Sequence, residues 1–153
     1  MSHVRLIALL MILCATGCRT LPELPPADMS QPGWNNRQGQ AIWRANAQAP
    51  EIAGEVYFSA RGRGESILQF IKTPFPIVIA RTSNSLWRVS FPGDNRVYSG
   101  RGHTPARIGW FALMAALQNA SVPKPWTFTQ EPEDHWRLAN DETGELIEGY
   151  LSP

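Results

Sequence analysis

The chain has 153 residues, 18% of them charged, and a formal net charge of +1. So even a balance gives no electrostatic footprint for nucleic acid or for a strongly acidic partner. Aromatic residues make up 10% and include six tryptophans, a composition that excludes a disordered chain.

The N-terminal segment has a short basic start (His3, Arg5) and a continuous apolar run from Leu6 to Cys14. That run is roughly nine residues, within the ~7–15 of a secretory h-region and far short of the ~20 of a spanning helix. A removable export signal is expected over residues 1–17. It closes with Ala15-Thr16-Gly17-Cys18, which resembles the lipobox of bacterial lipoproteins, with Ala15 where that box usually has Leu. The resemblance implies that Cys18 is diacylated on sulfur, becomes the first mature residue and is acylated again. No other cofactor or metal is expected. The alternative is an ordinary signal peptide cut after a small residue. One acyl chain holds a protein marginally, whereas two or more, at ~0.8 kcal/mol per buried methylene, make attachment stable. Arg19, not Asp, follows the cysteine, which leans toward an outer-membrane anchor with the domain facing the periplasm.

Without residues 1–17 about 136 remain, enough for one domain with its own core. Cys14 and Cys18 are the only cysteines, so the mature domain has no disulfide and no thiol site. Residues 18–33, with Pro22, Pro25, Pro26 and Pro32, read as a lipidated linker. Fully extended, it could lift the domain roughly 40 Å off the bilayer. The folded domain is expected over 34–153. Trp34, Gln38, Ala41, Ile42 and Ala45 stand at helical spacing and predict a short N-terminal helix within 34–48, weakened by Gly39 and ended by Pro50.

From Ile52 the period becomes two. Residues 52–60 put Ile52, Val56 and Phe58 on one face and Glu55, Tyr57 and Ser59 on the other. A turn at Arg61-Gly-Arg-Gly64 leads to a second strand over 65–72, with Leu68 and Phe70 opposing Ile67 and Ile71. A third strand is expected over 77–82 and a fourth over 86–91, where Trp87, Val89 and Phe91 share a face. Pro92-Gly-Asp-Asn95 is a strong turn signal before a fifth strand over 96–102. One clear helix is predicted over 105–119, with Thr104 as N-cap and Pro105 at the first helical position. Its Ile108, Trp110, Phe111, Leu113, Met114 and Leu117 are apolar around most of the circumference, so more than one side must be covered. Three strands follow over 126–130, 134–140 and 145–151. The fold class is therefore mainly β (α+β): one curved, half-barrel-like antiparallel sheet of about eight strands around an inserted helix, with the short helix at the N-terminus.

The spacer, the Ala53-Gly-Glu-Val56 strand, the Trp87-Arg-Val-Ser-Phe91 strand, the helix after Thr104-Pro105 and the closing Trp136-Arg-Leu and Gly144-Glu-Leu-Ile-Glu-Gly-Tyr150 segments resemble the LolA/LolB-like lipoprotein-localisation family. The resemblance is architectural and spans roughly residues 34–151. It implies a curved sheet and a helical lid enclosing an apolar cavity for the acyl chains of other lipoproteins. Val56, Phe58, Leu68, Phe70, Trp87, Val89, Phe91, Trp110 and Met114 are its expected lining. The chain is shorter than those proteins and its first hairpin tip, Arg61-Gly-Arg-Gly64, is no apolar finger.

Enzymatic constellations are weak. His103 and the group Glu131, Glu133, Asp134, His135 are the candidates, and the spacings of metal or acid–base motifs are absent. The acidic group reads as a solvated turn. Basic residues dominate between Arg61 and Arg107 and acidic ones between Glu131 and Glu148. The simpler expectation is cross-strand ion pairing between the two halves; the sharper one is a basic patch of Arg61, Arg63 and Lys72 facing anionic lipid. Two functions are carried forward. One is a tethered lipoprotein that binds acyl chains or lipoproteins in its concavity. The other is a non-catalytic tethered adaptor whose helix fills the concavity and whose surface binds an envelope protein. Both depend on the tether, and Cys18→Ala is expected to release a folded domain from the membrane fraction. A variant that sediments with membranes like its parent would place the anchor elsewhere.

Overall fold

Alternation of inward and outward side chains governs the computed structural model of the chain, which describes residues 23–132 and 134–152; the expected signal segment and Cys18 lie outside the described residues. Nine strands form one open antiparallel sheet: β1 (Asn35–Arg44), β2 (Glu51–Arg61), β3 (Glu65–Lys72), β4 (Phe75–Ser83), β5 (Leu86–Phe91), β6 (Arg96–Arg101), β7 (Trp126–Gln130), β8 (His135–Asn140) and β9 (Glu145–Ser152). Their order is β6-β5-β4-β3-β2-β1-β9-β8-β7. Two meanders, β1 to β6 and β7 to β9, are thus joined where β9 returns to pair with β1. A 3-10 turn at Pro92–Asp94 links β5 to β6, with Asn95 in the left-handed region. Among the described residues the one α-helix is α1 (Gly109–Leu117).

The expected N-terminal helix is instead strand β1, which raises the strand count from eight to nine. Its inward positions are Arg37, Gly39, Ala41 and Trp43, and only the last is a large apolar residue, so no hydrophobic alternation shows. Both flanks of β1 are hydrogen-bonded, to β2 and to β9, and this double pairing outweighs the weak helical spacing. The seam with β9 is unusually close. A Cβ on Gly39 would stand 1.9 Å from the Tyr150 carbonyl oxygen, and one on Gly149 would stand 2.2 Å from that of Gln40. Backbone meets backbone there, a role open only to glycine.

The sheet wraps the helix. Laid flat, nine strands at ~4.8 Å would span about 38 Å, whereas α1 is only about 14 Å long. Yet Phe111 of α1 meets Trp87 of β5 edge-to-face with ring centroids 5.7 Å apart, while Gly109 of α1 sits against the Trp126 indole of β7. Strands near both ends of the order touch one short helix, so the sheet must coil.

Helix α1 starts later than Thr104 and Pro105 predict. Ile108 occupies the N-cap without a side-chain cap bond, and the Trp126 Nε1–H donates to the Ala106 carbonyl at 2.6 Å. That bond holds residue 106 outside the helix, and a Cβ at Gly109 would stand 2.5 Å from the Trp126 ring. Docking of Trp126 thus sets where the helix begins.

Much of the expected linker is docked. Leu24 is buried, and Arg81 donates to the Pro25 carbonyl at 2.7 Å. Asp28 accepts from the Ser30 backbone N–H at 3.0 Å and its carbonyl accepts from the Trp34 indole at 3.0 Å, while the Arg61 guanidinium lies over the Trp34 ring. Residues 24–34 therefore lie along the outer face of β2 to β4.

Gly39→Ala is expected to cost about 1–3 kcal/mol, because neither backbone at the seam can yield to the added methyl. Urea unfolding measures this, and an unchanged midpoint would show that the seam is not close-packed.

Candidate functional site

The concave face carries Val56 and Phe58 from β2, Leu68 and Phe70 from β3, and Val89 from β5. With Trp110 and Met114 of α1, each is at most 2% exposed. Trp87 and Phe91, the remaining residues expected to line a cavity, are half-buried against the same cluster. All nine are therefore brought together, with α1 lying among them. Trp110 stacks on Phe70 with centroids 5.2 Å apart and meets Trp43 edge-to-face at 5.5 Å. Trp43 joins this cluster from β1; sequence reasoning docks it from a helix and does not place it among the lining residues. The indole N–H groups of Trp87, Trp110 and Trp136 are buried without a partner among the described residues.

Polar groups gather where the helix ends. Arg37 of β1 donates to the Leu117 carbonyl at 2.9 Å, satisfying a last-turn acceptor and placing a cation at the negative end of the helix. Its guanidinium also lies over the Phe58 ring at 5.3 Å. Gln118 donates to the Ser66 hydroxyl at 3.3 Å and the Met114 carbonyl at 3.2 Å, and Ser66 shares a 2.7 Å bond with Thr82. Two openings flank this cluster. One, of about 460 Å³, is walled by Leu86, Phe111, Met114, Ser66 and Gln118; the other, of about 270 Å³, by Phe58, Arg37 and Leu117.

A further depression lies on the opposite, outer face. It has about 690 Å³ and crosses β8, β9, β1, β2 and β3 over Gly149, Ala41 and Gly54. Gln40, Ile42, Glu55, Arg137, Glu148 and Tyr150 form its walls, all on the outward parity of their strands. Neither its residues nor its location is marked in the sequence by more than ordinary outward polarity.

Charge is distributed otherwise than expected. Among the described residues the ion pairs are Arg44–Glu51, Arg61–Glu65, Arg96–Asp94 and Arg137–Glu148. None joins the basic 61–107 half to the acidic 131–148 half, because β1 and β2 stand between them in the sheet. Nor do Arg61, Arg63 and Lys72 form one patch: Arg61 and Lys72 face opposite ends of β3, about 23 Å apart at ~3.3 Å per residue. Instead Arg81 of β4 and Arg88 of β5 stand directly opposite each other. Burial, and then the nearby Arg88, disfavour the charge on Arg81.

The enzymatic candidates do not converge. His103 is exposed, and the Glu131 backbone N–H donates to the His135 carbonyl at 2.9 Å across the exposed β7–β8 turn. Glu133 lies outside the described residues. Among the described residues no three His, Cys, Asp or Glu side chains assemble as metal ligands, and no helix is long and apolar enough to cross a membrane. No family model matches this chain, and no curated protein matches its sequence.

Glu145, at the start of β9, couples this core to pH. Burial pushes its carboxyl above the ordinary 4.5, and the Trp43 indole, donating at 3.0 Å, partly opposes that rise. The folded state thus keeps the proton to higher pH than the unfolded chain does. The contribution of this group is fully present below 4.5 and is lost as pH rises through the elevated value. Glu145→Gln should remove that decline, measured by urea unfolding from the acid side of 4.5 up to neutrality. Parallel pH profiles for parent and variant would contradict it.

Proposed function

We propose that this chain is a membrane-tethered, periplasm-facing envelope lipoprotein, anchored through Cys18 to the outer membrane, that binds its partners through its surface and performs no catalysis. The observation that carries this reading is the seating of α1 in the concavity, with Trp110 stacked at 5.2 Å on Phe70 and at most 1% exposed. A half-barrel whose hollow is occupied by its own helix is a rigid platform. Ligand sites are open apolar pockets of ~300–1,000 Å³. The space beneath α1 is instead filled by side chains.

A second reading, acyl-chain or lipoprotein binding of the Lol kind, has specific support. The opening of about 460 Å³ has Leu86, Phe111 and Met114 in its wall, with the Ser66 and Gln118 side chains beside them as polar partners for an ester or amide group. An acyl chain entering there would have to displace α1.

Titration with an environment-sensitive fatty-acid probe separates the two. The platform reading predicts no saturable binding by the folded protein. Saturable binding that an acylated peptide displaces, and that Met114→Lys abolishes while the fold persists, would replace it with the second reading.

A further inference from the structure

The outward positions of β4, β5 and β6 include Ile79, Arg81, Arg88, Ser90, Val97, Ser99 and Arg101 and no acidic residue. Arg88 is flanked by Arg81 on one strand and by Ser99 on the other, and Arg101 follows Ser99 on the same face. Like charges placed directly opposite across two strands are unfavourable by themselves. Neither Arg81 nor Arg88 forms an ion pair with a described residue, although other arginines of the sheet do. The face is also not wholly polar, since Val97 is 45% exposed on it.

The chain enters at this face. Leu24 is buried and the Pro25 carbonyl accepts from Arg81, so the segment leading back to Cys18 leaves the domain beside the arginine row. From Leu24 to Cys18 the backbone can reach at most about 21 Å, six residues at ~3.5 Å each. That is half the reach expected of a free linker, and it confines the arginines to the neighbourhood of the lipid anchor.

We propose that the outer face of β5 and β6, with Arg88 and Arg101 beside the Arg81 that the docked N-terminal segment covers, lies against the anionic headgroups of the membrane that holds the anchor, and that Val97, across Ser99 from Arg101, lies in the same contact. This rests on the tethered reading above. Docked this way, the domain turns the opposite end of the sheet, β7 to β9 with its acidic residues, away from the negative surface. The segregation of charge that no ion pair in the structure explains then becomes an orientation device: basic end toward the bilayer, acidic end toward the periplasm.

The test uses the full acylated chain carrying Val97→Cys, labelled with an environment-sensitive dye. Cys18 is then blocked by lipid, so the new thiol is the single label site in the mature chain. The protein is reconstituted into vesicles of phosphatidylglycerol and phosphatidylethanolamine, or of phosphatidylcholine alone. A blue-shifted label shielded from an aqueous quencher is expected in the anionic vesicles only, and high salt should abolish it. Arg88→Gln with Arg101→Gln should lower the docked-to-undocked ratio about 30-fold, the weight of two basic residues at an anionic surface. Equal exposure of the label in both vesicle types, in protein that floats with them, would overturn the inference and leave the tether intact. Flotation reports the tether separately. A chain that floats with neither vesicle after reconstitution overturns the tethered reading, and since the face then has no membrane held against it, it overturns this inference as well.

Discussion

Helix α1 has no polar side. Gly109, Trp110, Phe111, Ala112, Leu113, Met114 and Ala116 are all buried, so every flank of the helix needs cover that a single flat layer could not provide. A sheet coiled around it supplies that cover from β3, β5, β7 and β8 at once. The dependence is mutual. An open sheet with an apolar concave face cannot stand alone in water, and a helix of nine residues is too short to be stable without packing. The polar contacts serve this union at both ends: Trp126 fixes the start through the Ala106 carbonyl, and Arg37 caps the end at Leu117.

The return of β9 to β1 has consequences beyond the core. It places the last meander on the far side of β1 and β2 from the basic strands, which separates the two charged halves of the sequence. It also creates the seam where Gly39 and Gly149 face carbonyl oxygens, and the outer depression of about 690 Å³ runs across that seam. The docking of residues 24–34 on β2 to β4 then brings the N-terminal end of the described chain to the basic side. Filling of the hollow, segregation of charge and the exit of the chain together shift attention from the interior of this domain to its outer surfaces.

Strands β2 to β9 were legible because each alternates locally and ends in a strong turn signal such as Pro92-Gly-Asp-Asn95 or Asp141-Glu-Thr-Gly144. The apolar face of Val56, Phe58, Leu68, Phe70 and Val89 was legible for the same reason. Strand β1 was not, because Gly39 and Ala41 hide its inward face and its second partner lies more than a hundred residues downstream. The start of α1 was misplaced because a distant indole overrides the local Thr104-Pro105 signal. Sequence could name the residues of the concave face, but whether they enclose space or a helix depends on how tightly the sheet coils. The basic row was hidden too, since register alone brings Arg81 opposite Arg88.

The claim that α1 is an integral part of the core, and not a movable cover, is tested most directly by native-state hydrogen exchange of its amides. An integral helix exchanges only through global unfolding, so protection of the Leu113 to Leu117 amides should match the stability from denaturant unfolding and fall with denaturant along the same slope. Exchange of those amides through a lower-energy opening, while the strand amides of β3 and β9 stay protected, would contradict the account and show that the helix leaves the concavity in the native state.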